Sequence, residues 1–173
     1  FKDSGLLNRI SWLKDHRNDI YNPDYSDIIR TSFTYSFQRG KLSDLVALLS
    51  GRNFEARTYE YEIAKNSVAQ LKLAVLDFVN KNNYTDFLQI IESTGFIDSK
   101  MIGSRNALNY SYVVYLLMKR SGANPGIIKK TVARWFVMSV LTGRYSSSPE
   151  TIVDRDVKEI YRSGVENYLS RIE

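Results

Sequence analysis

Few side chains in this 173-residue chain have the type and spacing for catalysis. His16 is the sole histidine, so a His-ligated metal, a paired-histidine nuclease or a serine triad would each have to use it. Nothing around it fits, and a solvated histidine at a helix end is the plain reading. Asp154 and Asp156 suggest a metal pair, but helical residues two apart point about 200° from each other and cannot converge on one cation. Their spacing predicts surface ion pairs instead, Asp154 with Lys158 and Arg155 with Glu159. Glu150 followed by Asp156-Val157-Lys158 has the letters of an acid-x-lysine nuclease core. Those acids are too close together, however, and fall on a predicted helix. Gly122 to Lys130 lacks phosphate-loop spacing, and the absence of cysteine excludes disulfides, thiolate nucleophiles and Cys-ligated metals. No catalytic residue, metal ligand or cofactor is therefore expected in this segment.

Charge offers a stronger signal than catalytic chemistry. Between Ser99 and Pro149 lie Lys100, Arg105, Lys119, Arg120, Lys129, Lys130, Arg134 and Arg144 without a single Asp or Glu, while the other 122 residues hold 16 basic against 19 acidic side chains. The formal +5 of the chain is thus a +8 segment joined to a mildly acidic remainder, a distribution that attracts polyanions. Near its end, Gly143-Arg144-Tyr145-Ser146-Ser147-Ser148 places one cation and three hydroxyls before a helix start. Arg144, Tyr145, Ser146 and Ser147 are thereby a second candidate, for an anion or a domain contact, although capping alone explains Ser148.

The elements that must position these residues read as helices throughout. Apolar spacing follows the helical period, as at Ala64, Val68, Leu71, Val75 and Phe78, and sustained two-residue alternation is absent. The expectation is an all-α, bundle-like single domain of about seven to nine helices spanning 1–173. Leu6, Ile10 and Leu13 predict one helix; Ile29, Phe33 and Phe37 predict another after the Asn22-Pro23-Asp24 turn. Ser43 opens a short helix to Leu49, and Thr58 a long one fading at Asn82 and Asn83. A shorter helix follows Thr85 and stops at Gly95. Ser104 caps a helix with Leu108, Tyr112, Tyr115 and Leu116 on one face, ending at Ser121-Gly122. Asn124-Pro125 starts the next, which carries Ile128, Val132, Trp135, Phe136, Ser139 and Val140 and ends near Gly143. Ser148-Pro149 opens another, and Gly164 permits a break before Val165, Leu169 and Ile172.

A connection as short as Ser121–Asn124 makes the two central helices an antiparallel hairpin. Lys119, Arg120, Lys129 and Lys130 should then meet at one tip, with Arg134 one turn beyond Lys130. Lys129 and Lys130 lie early in a helix, where the dipole disfavours a cation. Ordinary solvated charge accounts for such a tip; contact with nucleic-acid phosphates is the sharper reading, and an acidic face of a partner domain is a third. No apolar run approaches the ~20 residues needed to span a bilayer, so no membrane partner is expected. Cysteine-free composition suits a reducing compartment, the cytoplasm. Because the chain opens on Phe1 without a Met, it reads as an excerpt of a longer protein.

Trp135 to Asp156, WFVMSVLTGRYSSSPETIVDRD, resembles the helical region of the GmrSD-type restriction endonuclease family. Gly40 to Phe54, Phe87 to Ile97 and Ser104 to Leu117 fit in the same order, so the likeness covers about residues 28 to 160. It implies a bacterial phage-defence protein that cuts modified foreign DNA with nucleotide hydrolysis. In that family a ParB- or sulfiredoxin-like amino-terminal domain carries an Asp-Gly-Gln-Gln-Arg motif for nucleotide use, and a carboxy-terminal HNH-type domain carries the nuclease motif. Neither motif is present; Gln38-Arg39 supplies only two letters of the first. By this resemblance the chain is the non-catalytic helical middle. Its partners would be DNA, the missing amino-terminal nucleotide-using domain and the missing carboxy-terminal nuclease domain. A purely structural coupling domain without DNA contact is the alternative, and an unrecognised nucleotide site a third possibility.

Overall fold

The computed structural model describes residues 4–172. Among them the chain forms nine α-helices: α1 (Ser4–Asp15), α2 (Tyr25–Phe37), α3 (Leu42–Leu49), α4 (Tyr61–Phe78), α5 (Lys81–Glu92), α6 (Arg105–Arg120), α7 (Pro125–Leu141), α8 (Pro149–Ser163) and α9 (Val165–Ile172). A 3-10 turn at Ser99–Met101 and an isolated bridge between Arg52 and Tyr59 complete the regular structure. The all-α expectation holds. Among the described residues no helix is long and apolar enough to cross a membrane.

The central element is α6. Every residue from Ala107 to Met118 is buried, so the helix has no solvent face, the pattern of a helix enclosed on all sides. Its flanks are α2 and α7; α4 packs on α2, and α5 on α7. Several polar groups in this interior are bonded, while the buried hydroxyls of Thr31, Ser32, Ser111 and Ser139 have no partner among the described residues. The Tyr112 hydroxyl donates to the Phe78 carbonyl at 2.8 Å, and Tyr21 donates to Asn109 Oδ1 at 2.7 Å. Asn109 in turn donates to Asp27 at 2.8 Å, beside the Arg105 guanidinium at 3.1 Å. A buried hydroxyl or carboxylate left without such partners would cost about 1–3 kcal/mol. Around them Phe78, Phe87 and Phe136 are fully enclosed, each contributing roughly 1.5–3 kcal/mol of apolar burial.

Several boundaries differ from the sequence reading. The division between α4 and α5 falls at Val79-Asn80, because the Asn80 side chain accepts the backbone N–H groups of Asn82 and Asn83 at 3.0 and 3.1 Å and caps the next helix. Thr85 therefore lies inside α5. Likewise α4 starts at Tyr61 rather than at Thr58, whose hydroxyl instead bonds Glu60. Leu71, Val75 and Phe78 are buried as their spacing requires, whereas Val68 is 42% exposed, since at that turn it is Ser67 that continues the buried stripe. Neither Ser104 nor Ser148 caps through its side chain; Ser148 adopts a left-handed conformation instead.

The segment joining α2 to α3 is held against α8. Gly40 donates to Asp154 Oδ1 at 3.0 Å, while Glu150 pairs with Arg30 at 3.1 Å and accepts the Leu42 N–H at 3.3 Å. The approach is so close that a Cβ on Gly40 would lie 2.4 Å from the Asp154 nitrogen and 2.8 Å from the Glu150 oxygen. Asp154 is thus both a helix-surface partner of Lys158, at 2.6 Å, and a buried acceptor for another segment. Burial opposes its charge, but Lys158 and Gly40 outweigh that and hold its pKa below the usual carboxylate value.

Candidate nucleic-acid interface

The α6–α7 hairpin is built by terminator chemistry at one end and capping chemistry at the other. At the end of α6, Gly122 donates to the Lys119 carbonyl at 3.1 Å and Ala123 to that of Met118 at 3.1 Å. This is the paired Schellman arrangement, and it uses Gly122 at a φ of 74° that a glycine accepts without strain. Asn124 then accepts the Gly126 N–H at 2.9 Å and Pro125 occupies the first helical position. The hairpin forms over the residues its sequence indicates.

The cations at its tip do not share one surface. Lys119 and Lys129 line a cleft of about 330 Å³ against α5, together with Asp86, Gln89 and Tyr115. Arg120 instead borders a second cleft of about 280 Å³ with Ile160, Tyr161 and Val165. Arg134 borders a third groove with Ser93 and Thr94 and is already engaged. Consecutive helical residues diverge by about 100°, which separates Lys119 from Arg120 and Lys129 from Lys130. The expectation of four cations gathered together is therefore corrected: Lys119 and Lys129 meet at one cleft, whereas Arg120 borders another.

Nor is the tip free of anions. The Lys119 ammonium donates to Asp86 at 3.3 Å and to the Tyr115 hydroxyl at 3.0 Å. Burial alone would lower the pKa of Lys119, but Tyr115 and Asp86 raise it above the ordinary value. Arg120 lies 4.7 Å from the centre of the Tyr35 ring and donates to the Tyr161 hydroxyl. Tyr35 is itself pushed up to about 12, chiefly by burial and then by its bond to Asp77. Lys129 and Lys130 are exposed, unpaired among the described residues, and sit in the second turn of α7, behind a first turn with no acid.

Elsewhere the acid-free stretch draws its counterions from outside. Arg105 pairs with Asp27 of α2 at 3.1 Å and with Asp24, the residue that caps that helix, at 3.4 Å. Arg144 is held by Asp156 of α8 in a two-pronged bond, Nε to Oδ2 and NH2 to Oδ1, both at 2.8 Å. Tyr145 and Tyr168 also donate to Asp156, at 3.0 and 2.7 Å. This corrects the reading of Arg144 and Tyr145 as an open anion site: the guanidinium already has its carboxylate, and the phenol is buried. Burial opposes the Arg144 charge, yet Asp156 raises its pKa; burial likewise pushes Tyr145 well up, with Asp156 adding to it. Ser146 and Ser147 remain exposed.

Asp156 is consequently an interior residue rather than a surface one. The predicted Arg155–Glu159 pair is replaced, because Glu159 takes Arg162 at 3.0 Å and Arg171 at 3.6 Å, while Arg155 turns towards Asp156 at 3.6 Å. His16 is exposed beyond α1, stacked on Trp12 with ring centres 4.5 Å apart and its Nδ1 2.9 Å from the Trp12 carbonyl. Among the described residues, no three His, Asp or Glu side chains converge as a cation site.

Sequence reasoning missed a cleft of about 350 Å³ between α1 and α5, bordered by Asn8, Arg9, Trp12 and Lys81. Reading Asn80 rather than Thr85 as the helix cap would have placed Lys81 in a first turn and drawn notice to it. No protein-family model, curated protein or solved structure matches this chain.

Proposed function

We propose that the chain is a non-catalytic helical module of a modification-dependent restriction protein, touching DNA phosphates through the start of α7. The observation that carries this reading is the pair Lys129 and Lys130: exposed, consecutive in sequence, without carboxylate partners among the described residues, and preceded by a first turn that holds no acid. Folding does not ask for them there. Lys119, Arg120 and Arg134 are engaged within the chain, so they reinforce the field more than they bind. The restriction context, with its missing nucleotide-using and nuclease domains, rests on the resemblance in Trp135 to Asp156 and the three segments that accompany it.

The test is duplex-DNA binding by the 173-residue chain over a salt series. Reversing both charges in Lys129→Glu/Lys130→Glu should weaken binding and reduce the slope of log K against log salt by about 2, because each phosphate contact contributes roughly 0.9. Equal slopes for the two proteins would overturn the DNA reading.

A second reading, a coupling domain without DNA contact, is favoured by one specific observation. Arg105, Lys119 and Arg144 all bond carboxylates of other helices, so much of the basic stretch ties helices together. No DNA binding at low salt, combined with tight binding to a separately expressed amino-terminal region, would select it.

A further inference from the structure

We propose that the cleft between α1 and α5 binds a phosphate group, with Arg9 and Lys81 as its cations and the side-chain amides of Asn8 and Asn82 as neutral donors. The four residues border one cavity of about 350 Å³, of which Trp12 forms the wall. They come from two helices that are distant in sequence, so the cleft exists only in the folded chain. This site is separate from the hairpin tip and does not depend on the DNA reading above.

Three observations converge on an anion. Arg9 and Lys81 are both exposed and neither has a carboxylate partner among the described residues, in contrast to Arg105, Lys119 and Arg144. The first turn of α5 contains no acid, so nothing in that helix neutralises Lys81 at its opening position. The Lys81 ammonium rests 4.8 Å from the centre of the Trp12 ring, a contact worth only about 0.5–1 kcal/mol at an exposed site. An incoming oxyanion gives it a stronger partner.

Phosphate suits this donor set better than a carboxylate does. A guanidinium can grip two oxygens at once, and an ammonium with two amides can serve the remaining ones. The indole already carries His16, stacked with ring centres 4.5 Å apart, and the Lys81 ammonium.

Intrinsic fluorescence provides the readout. The chain has two tryptophans, and Trp135 is only 1% exposed, so a surface ligand that pulls Lys81 away reports through Trp12. Titrating inorganic pyrophosphate into the 173-residue chain at fixed ionic strength should give a saturable, single-site change. In Arg9→Gln/Lys81→Gln the affinity should fall at least about tenfold, since two charge-assisted contacts are lost; in Lys129→Gln/Lys130→Gln it should be unchanged. Trp12→Phe should abolish the signal while calorimetry still detects binding. Parallel titrations with a 5′-phosphorylated and a 5′-hydroxyl oligonucleotide identify the source. A preference for the phosphorylated strand that vanishes in Arg9→Gln/Lys81→Gln assigns a nucleic-acid end, and competition by pyrophosphate alone assigns a soluble phosphate. The proposal is overturned if no saturable change occurs, or if Arg9→Gln/Lys81→Gln, shown to be folded by its melting curve, binds as the parent does. Loss of binding confined to the α7 double variant would also overturn it.

Discussion

Replacing Asp156 with Ala tests whether the buried carboxylate organises the last third of the fold. It removes two bonds from Arg144 and one each from Tyr145 and Tyr168. The side chains of Arg144 and Asp156 are only 14% and 4% exposed, so solvent cannot replace the lost carboxylate. Breaking a buried pair by deleting one partner costs about 3–5 kcal/mol, because the other charge stays behind unpaired. The phenols lose their acceptor together with the guanidinium, so their costs overlap with that figure instead of adding to it. Taking about 4 kcal/mol and 2–4 °C per kcal/mol for a chain this long, the melting temperature should fall by roughly 8–16 °C. Urea denaturation followed by circular dichroism measures the change. A companion variant carrying Arg144→Met, Tyr145→Phe, Asp156→Leu and Tyr168→Phe should recover most of the loss, since apolar replacements of a whole buried pair are often neutral. A loss below about 1 kcal/mol for Asp156→Ala, or strict additivity of Arg144→Met and Asp156→Leu in a double-mutant cycle, would refute the reasoning.

Three further outcomes are expected. Gly40→Ala should destabilise by at least roughly 2–3 kcal/mol in urea melts, because its Cβ meets backbone atoms of α8 that cannot step aside; a variant as stable as the parent would contradict the close approach. Asp154 has a folded pKa below its ordinary 3.8, so its stabilisation is complete above that value and is lost as pH falls through the folded pKa. The stability gap between the parent and Asp154→Asn should accordingly be widest near neutrality and narrow in acid, and a gap that is constant with pH would count against it. Asn124→Ala removes the cap of α7 and should cost about 1 kcal/mol, whereas Asn124→Ser should cost a few tenths at most.

The helical class and the hairpin were legible because they depend on local chemistry: apolar period, Asn124-Pro125, and glycines at helix ends. The α4–α5 boundary was misplaced because Asn80, Asn82, Asn83 and Thr85 are all plausible cap residues, and only the three-dimensional course of the chain chooses among them. The character of the basic stretch was not legible for a different reason. Its counterions, Asp24, Asp27, Asp86 and Asp156, come from three other helices, and a count along the chain cannot see partners that the fold supplies. Asp156 illustrates the limit most clearly, since its place among the charges Asp154, Arg155 and Lys158 on a helix resembles that of any solvated acid. Burial came from Tyr145 and Tyr168, which pack over it from both sides in sequence.

The close meeting of Gly40 with Asp154 bears on how the molecule is made. The two residues are 114 positions apart, and the neighbouring Arg30–Glu150 contact spans 120. A ribosome adding ~5–20 residues per second leaves the α2–α3 corner waiting for several seconds before α8 emerges to latch onto it. Throughout that interval the groove that later receives α8 stands open to chaperones, or to the same helix of a second nascent chain.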